Sequence, residues 1–258
     1  MKVALLGPKG TYTHEAAMRY FGDELEPVFC STIPEVFDSE IETKLVPFEN
    51  SLGGGVSDSL DRLRTEDVNI TGEQRLLIDH CLLSNEESID EIEKVVSHPQ
   101  ALNQCRELIE KHGFQTEEFS STAGAAENLE EGEAAIASRA AAEVYDLNIL
   151  KESVQDSDGN ITRFMILNGD QTERQKTSMV LEPGEDRPGI LQSMLGCLSG
   201  HSVNLSFIQS RPTREKLGEY FFFVEAEAGT DQENMKKAVE CLETYAKVDI
   251  IGSYSVKE

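Results

Sequence analysis

Three times within its first hundred residues the chain carries an apolar run into a turn of small polar residues and then into a helical pattern. Val3-Ala4-Leu5-Leu6 leads into the turn Gly7 to Thr13 and a helix from about His14 to Phe21. Lys44 to Phe48 leads into Asn50 to Gly55 and an amphipathic helix over Val56, Leu60 and Leu63. Val95-Val96 leads into Ser97 to Gln100 and a helix from Ala101 to His112. A fourth turn, Ser120-Ser121-Thr122, caps a helix from Ala123 to Leu129, and Ala134 to Ala137 is a strand before a helix from Arg139 to Tyr145. Strand, turn and helix in repetition predict an α/β architecture. Such turns present the N–H groups of a helix start at the C-terminal edge of a sheet, which favours an anionic carboxylate. One such turn is equally well an ordinary cap; four in one domain predict a carboxylate-binding cleft.

The rhythm then changes. Asn168 to Lys176 contains no apolar residue and reads as a linker. After it come a strand (Thr177 to Leu181), a helix (Pro188 to Leu198), two strands (Val203 to Ser210, Tyr220 to Ala226), a helix (Asn234 to Tyr245) and a strand (Val248 to Val256). On the first of these helices Ile190, Leu191, Met194, Leu195 and Leu198 form the inner face. The βαββαβ order predicts a ferredoxin-like unit.

The formal net charge of -25 excludes nucleic acid as a partner, because its phosphates are repelled. So much self-repulsion is best tolerated when screened, which predicts adaptation to a salty cytoplasm. Cys30, Cys81, Cys105, Cys197 and Cys241 are scattered, so they are expected as free, buried thiols rather than as a disulfide or zinc set. His14, His80, His112 and His201 show no metal-ligand spacing and read as structural or exposed. No run is long enough to span a bilayer, and Met1 to Gly7 is too short for a signal peptide, so a cytoplasmic location is expected with no membrane partner.

The motifs then match in order and spacing. Gly7-Pro8-Lys9-Gly10-Thr11-Tyr12-Thr13-His14, Val46-Pro47-Phe48-Glu49-Asn50-Ser51, Ser97-His98-Pro99-Gln100-Ala101-Leu102, Ser121-Thr122-Ala123 and Asn160-Ile161-Thr162-Arg163-Phe164 together resemble the prephenate dehydratase family. Arg187-Pro188-Gly189-Ile190-Leu191 and Gln209-Ser210-Arg211-Pro212 resemble a phenylalanine-regulated ACT domain, with Ile190 and Gln209 departing from its usual pattern. The resemblance implies a type II periplasmic-binding-protein-like catalytic domain over residues 1–170, its lobes being 1–74 plus 159–170 and 75–158. It implies an ACT domain over 177–258. Prephenate is the implied substrate, L-phenylalanine the effector, a homodimer or homotetramer the assembly, and no cofactor or metal is called for. Nothing resembling a chorismate mutase precedes Gly7, so a monofunctional enzyme is expected.

Within that frame Thr162 is the expected catalytic residue, its hydroxyl donating a hydrogen bond to the departing oxygen. Glu49 is a candidate proton source. Thr11, Asn50, Ser51, Gln100, Ser121, Thr122 and Phe164 are candidates for substrate binding, though Phe164 reads somewhat better as a core residue. His98 reads as positioning a turn more than as an acid or base. Strand alternation turns Arg163 away from Thr162, toward a structural role. Gly189, Ile190, Leu191, Asn204, Leu205, Gln209 and Ser210 are the candidate effector contacts. Two other readings stay open: the same chemistry on arogenate, and a non-catalytic amino-acid sensor.

Overall fold

The computed structural model describes residues 1–185, 187–214 and 219–257. The chain opens with β1 (Lys2–Leu6), α1 (Tyr12–Phe21), β2 (Glu26–Cys30), α2 (Ile33–Asp38), β3 (Lys44–Asn50), β4 (Gly54–Gly55), α3 (Ser57–Thr65) and β5 (Ile70–Leu77). A second group follows: β6 (Cys81–Ser84), β7 (Lys94–Ser97), α4 (Pro99–Gln104), α5 (Arg106–His112), β8 (Gln115–Glu118), α6 (Thr122–Glu127), β9 (Glu133–Ala137), α7 (Arg139–Tyr145) and β10 (Asn148–Lys151). The chain then returns as β11 (Ile161–Leu167). It ends with β12 (Lys176–Pro183), α8 (Ile190–Gly200), β13 (Leu205–Pro212), β14 (Tyr220–Ala226), α9 (Glu233–Leu242) and β15 (Ala246–Lys257).

Two sheets result. The smaller has the order β10-β6-β9-β7-β8. Its central strands are apolar on both faces, as fully covered strands must be, and β9 is buried throughout. The larger, ten-stranded sheet has the order β13-β14-β12-β15-β5-β11-β3-β1-β2, with β4 on β3. The chain crosses between the sheets after β5 and again before β11, which makes two lobes with a cleft at the crossings. The first crossing comes after Leu77, so β5 runs past the lobe limit expected at residue 74. The expected single helix from Ala101 to His112 is broken at Cys105, which leaves helical geometry (φ -124°, ψ 30°).

The linker expectation is corrected. The βαββαβ unit forms, but β15 pairs in parallel with β5 and fuses its sheet to that of the first lobe. In the intervening segment Thr172 Oγ1 donates to the Thr71 carbonyl and Gln171 Nε2 to the Ser253 carbonyl. Polar residues there reflect hydrogen bonding to two strands rather than a free tether. One core cluster contains Val46, Phe48, Leu60 and Met165 together with Val180, Phe221, Phe223 and Tyr254. Phe48 lies 5.0 Å from Phe207 and 5.2 Å from Phe223, ring centre to ring centre. Each such side chain, fully buried, stabilises by roughly 1.5–3 kcal/mol. Truncation before Thr177 is therefore expected to yield an unfolded or insoluble chain, not an unregulated enzyme. A truncated protein that melts cooperatively by circular dichroism would contradict this.

The cysteine expectation is also corrected in part. Cys197 of α8 and Cys241 of α9 form a disulfide, with Cα atoms 5.5 Å apart, whereas Cys30, Cys81 and Cys105 are free. The two helices pack side by side on one face of the sheet, and a 44-residue separation without a motif gives no hint of that pairing. Among the described residues no helix is long and apolar enough to cross a membrane, and no His, Cys, Asp and Glu group is arranged to hold a metal ion.

Candidate active site

The cleft contains a cavity of about 250 Å³ lined by both lobes. Helix starts converge on it: Tyr12 and Thr13 open α1, Gln100 and Ala101 lie in the first turn of α4, and Thr122 opens α6. Each start is set by a local device. Thr11 caps α1 by accepting the His14 N–H, Ser121 caps α6 by accepting the Gly124 N–H, and the His98 ring accepts the Gln100 N–H. The lobes also touch beside the cavity. Ser138 donates to the Gly10 carbonyl at 2.7 Å, and Tyr145 donates to the Lys9 carbonyl at 2.8 Å. Gly10 has φ +85°, and a side chain there would press on the backbone of Ala141 at 3.1 Å, so glycine is required for this approach.

Thr162 lies on β11 opposite Asn50 of β3 and faces the cavity. The amides of Leu52 and Gly53 donate to Asn50 Oδ1, each at 3.0 Å, which fixes that side chain's orientation. Asn50 Nδ2 then donates to Thr162 Oγ1 at 2.9 Å and to Asn160 Oδ1 at 2.6 Å. With its oxygen already accepting from Asn50, the Thr162 hydroxyl keeps its own hydrogen for another acceptor. Phe164, 1% exposed, both packs in the core with Leu5, Leu45 and Leu76 and walls the cavity.

The cavity thus gathers Asn50, Gln100, Thr122, Thr162 and Phe164 of the expected residues. Thr11, Ser51, Ser121 and Glu49 are not among its lining. Thr11 and Ser121 spend their hydroxyls as caps, and Ser51 Oγ accepts the Ile161 N–H at 3.0 Å. Glu49 is turned away by strand alternation and pairs with Arg163 Nη1 at 2.7 Å, which corrects its candidacy as proton source. His80, read as structural, lines the cavity beside Tyr12, Thr13, His98, Gln104 and Asn160. Tyr12, Gln104 and Asn160 lay within or beside the matched motifs and could have been found there. His80 sits between the short apolar runs Leu76-Leu77-Ile78 and Cys81-Leu82-Leu83 and gives no such signal.

Behind Thr162 the opposite face of the sheet is charged. Arg163 binds Glu73 through Nε and Nη2, each at 2.8 Å, Glu49 at 2.7 Å and Glu225 of β14 at 2.7 Å. Lys176 and Arg75 add to Glu73 at 3.2 Å and 2.9 Å, and Tyr254 donates to Glu225 at 2.7 Å. Burial pushes the Glu73 pKa up, but the hydrogen bonds and charge of Arg163, with Lys176 and Arg75, prevail and hold it at about 2. Arg163 is disfavoured as a cation by burial yet held firmly charged by Glu73, Glu225 and Glu49. This network joins the strand of Thr162 to the βαββαβ unit.

The candidate effector residues are spread along that unit. Gly189 is the left-handed N-cap of α8, and Ile190 and Leu191 are half-buried in its first turn. Asn204 donates to Glu227 at 2.7 Å, Leu205 is half-buried and Ser210 exposed. Gln209 is a correction. It shares the inner face of β13 with Phe207 and Arg211, and its amide fills the space over Gly55 that any side chain at 55 would need.

Two lobes closing on a cavity lined by helix starts, with a ferredoxin-like unit fused to one of them, define an α/β ligand-cleft domain joined to an ACT module. The prephenate dehydratase family model matches residues 3–172 and the ACT domain model residues 184–243. The chain is 42% identical over 267 residues to a bifunctional chorismate mutase/prephenate dehydratase of Aquifex aeolicus, covering 98% of this chain and 73% of that one. It is 36% identical to a prephenate dehydratase of Methanocaldococcus jannaschii, covering 96% of each. A prephenate dehydratase from Arthrobacter aurescens solved in complex with L-Phe superposes with a TM-score of 0.89 at 31% identity, covering 99% of this chain and 90% of that one. The chain belongs to the prephenate dehydratase family.

Proposed function

We propose that this chain converts prephenate to phenylpyruvate, carbon dioxide and water, with Thr162 as the residue that assists departure of the ring hydroxyl. The supporting observation is the Thr162 hydroxyl facing an inter-lobe cavity with its acceptor side occupied by Asn50. Breaking the ring C–O bond and the ring–carboxylate bond together makes the ring aromatic, so the driving force resides in the product. The electron pair of the breaking C–C bond enters the ring, the pair of the C–O bond leaves with oxygen, and one proton must be added to make water. A threonine is too weak an acid to give up its proton outright, so its hydrogen bond stabilises the leaving oxygen as charge develops there. The carboxylates rest on the starts of α1, α4 and α6 and on neutral donors such as Gln100 and Thr122. Neutral donors orient the reacting carboxylate without opposing its loss. Asn50 has committed both amide hydrogens and therefore positions Thr162 rather than binding substrate.

L-phenylalanine is the proposed effector, bound at the ACT module near Gly189, Asn204 and Ser210 and favouring an arrangement of lower activity. The free edge of β13, last strand of the large sheet, is suited to pairing with a second copy in a homodimer or homotetramer. A cytoplasmic setting fits a small-molecule biosynthetic enzyme. Parallel assays on prephenate and arogenate test the substrate: a higher kcat/KM on prephenate supports the reading, and a preference for arogenate overturns it.

Charge gives a further expectation. Among the described residues lining the cavity none is Lys or Arg, so a dianion meets a protein of net charge -25 with little local cationic help. Salt screens that repulsion. Activity is expected to rise several-fold as potassium chloride goes from low to molar concentration, and steady-state rates across that series check it. Maximal activity at low ionic strength would contradict the halophilic reading.

A further inference from the structure

The cavity contains a buried titratable group that this scheme leaves unused. His80 is 3% exposed and sits where the chain crosses from one lobe to the other. Its Nε2 lies 2.8 Å from Gln104 Oε1 and its Nδ1 2.6 Å from the Tyr12 hydroxyl.

A ladder of amides decides which nitrogen carries hydrogen. The Leu52 and Gly53 amides fix Asn50, whose Nδ2 donates to Asn160 Oδ1. Asn160 Nδ2 in turn faces Gln104 Oε1 at 3.4 Å. Gln104 thus presents oxygen to His80, and His80 Nε2 carries a hydrogen whatever the state of Nδ1. Nδ1 faces a hydroxyl with two uses. Tyr12 can donate to a bare Nδ1. It can instead donate to the Asp79 carbonyl, 3.1 Å away, and accept from a protonated Nδ1. Protonation therefore needs no heavy atom to move; the Tyr12 hydroxyl only rotates.

We propose that His80 takes up a proton from solvent when the dianionic substrate fills the cavity, placing an imidazolium where the lining offers no Lys or Arg. His80 is then a positioning residue: its charge acts on the bound anion, and through Gln104 it orients a donor into the cleft. The inference rests on the prephenate reading. The groups around His80 are compatible with it. Asp79, next in the chain, is held by Gln155 Nε2 at 2.8 Å. Tyr12 and the Cys81 and Cys105 thiols are kept protonated by burial, and His98 is the other imidazole lining the cavity. In the empty cavity burial favours neutral His80, outweighing Gln104 and Asp79, and an incoming pair of carboxylates reverses that balance.

The test is the pH dependence of turnover, with proton uptake measured beside it. For the wild type, log(kcat/KM) on prephenate should already be falling toward a slope of -1 at neutrality, because burial holds the free enzyme's His80 below its ordinary 6.5, while kcat, which reports the bound state, holds to higher pH. His80→Gln can still donate to Gln104 but cannot ionise. It should lose at least tenfold in kcat/KM at pH 7 and show no such limb. Mixing prephenate with Thr162→Ala in weak buffer should take up close to one proton per chain, and adding His80→Gln should abolish the uptake. A His80→Gln enzyme with the wild-type profile overturns the inference alone. If His80→Gln does not fold, absence of proton uptake when Thr162→Ala binds prephenate overturns it. Absence of wild-type turnover of prephenate overturns both this inference and the reading beneath it.

Discussion

Thr162→Ala is expected to lower kcat on prephenate at least a hundredfold, about 2.7 kcal/mol of transition-state stabilisation, with KM changed far less. The hydroxyl is the group aimed into the cavity with a free hydrogen, and its hydrogen bond strengthens only as the leaving oxygen gains charge. Thr162→Ser keeps the hydroxyl and its bond from Asn50, losing only the methyl that limits rotation, so it should retain activity within about tenfold. Steady-state kinetics of the three proteins decide the matter. Near-normal turnover by the alanine variant would remove Thr162 from the mechanism.

Arg163→Met is expected to have the largest effect on stability, about 3–5 kcal/mol. Its removal leaves Glu73 and Glu225, both fully buried, with Lys176 beside both and the partly exposed Arg75 beside Glu73. Methionine can occupy the space over the Phe48 ring, now under the guanidinium at 5.1 Å, so the loss is one of charge compensation more than volume. The pH dependence follows from Glu73. Its folded pKa, about 2, lies below its ordinary value of 4.5, so the stability it supplies is fully present above pH 4.5. That stability is lost as pH falls from there through 2. Wild-type melting temperature should drop across that window, and Arg163→Met should show a lower melting temperature at neutral pH with a shallower acid decline. A variant within about 1 kcal/mol of wild type would show that the network contributes little.

Much of this molecule is legible in its sequence. The alternation of apolar runs and small polar turns gave the α/β order, and Tyr220 to Ala226 was bounded as a strand where the structure places β14. Period-two alternation separated Thr162 from Arg163 and, applied to β3, would have separated Asn50 from Glu49. What stayed hidden was mostly partnership at long range. Ser51 and Thr11 are the right residue types for anion binding, yet their hydroxyls satisfy neighbouring backbone N–H groups, a choice that local sequence leaves open. The β15–β5 pairing joins residues 182 to 183 positions apart through strands whose patterns suit either an edge or an interior place. His80 escapes a reading of the sequence because a histidine between two short apolar runs reads as a satisfied core residue. Only the crossing of the lobes brings Tyr12 and Gln104 against it.

The most direct measurement incubates the purified protein with prephenate and follows phenylpyruvate by its absorbance in alkali, for the wild type and Thr162→Ala, with and without L-phenylalanine. The expected result is product formation by the wild type, suppressed by L-phenylalanine and reduced at least a hundredfold by the substitution. No phenylpyruvate from the folded wild type would contradict the account at its centre.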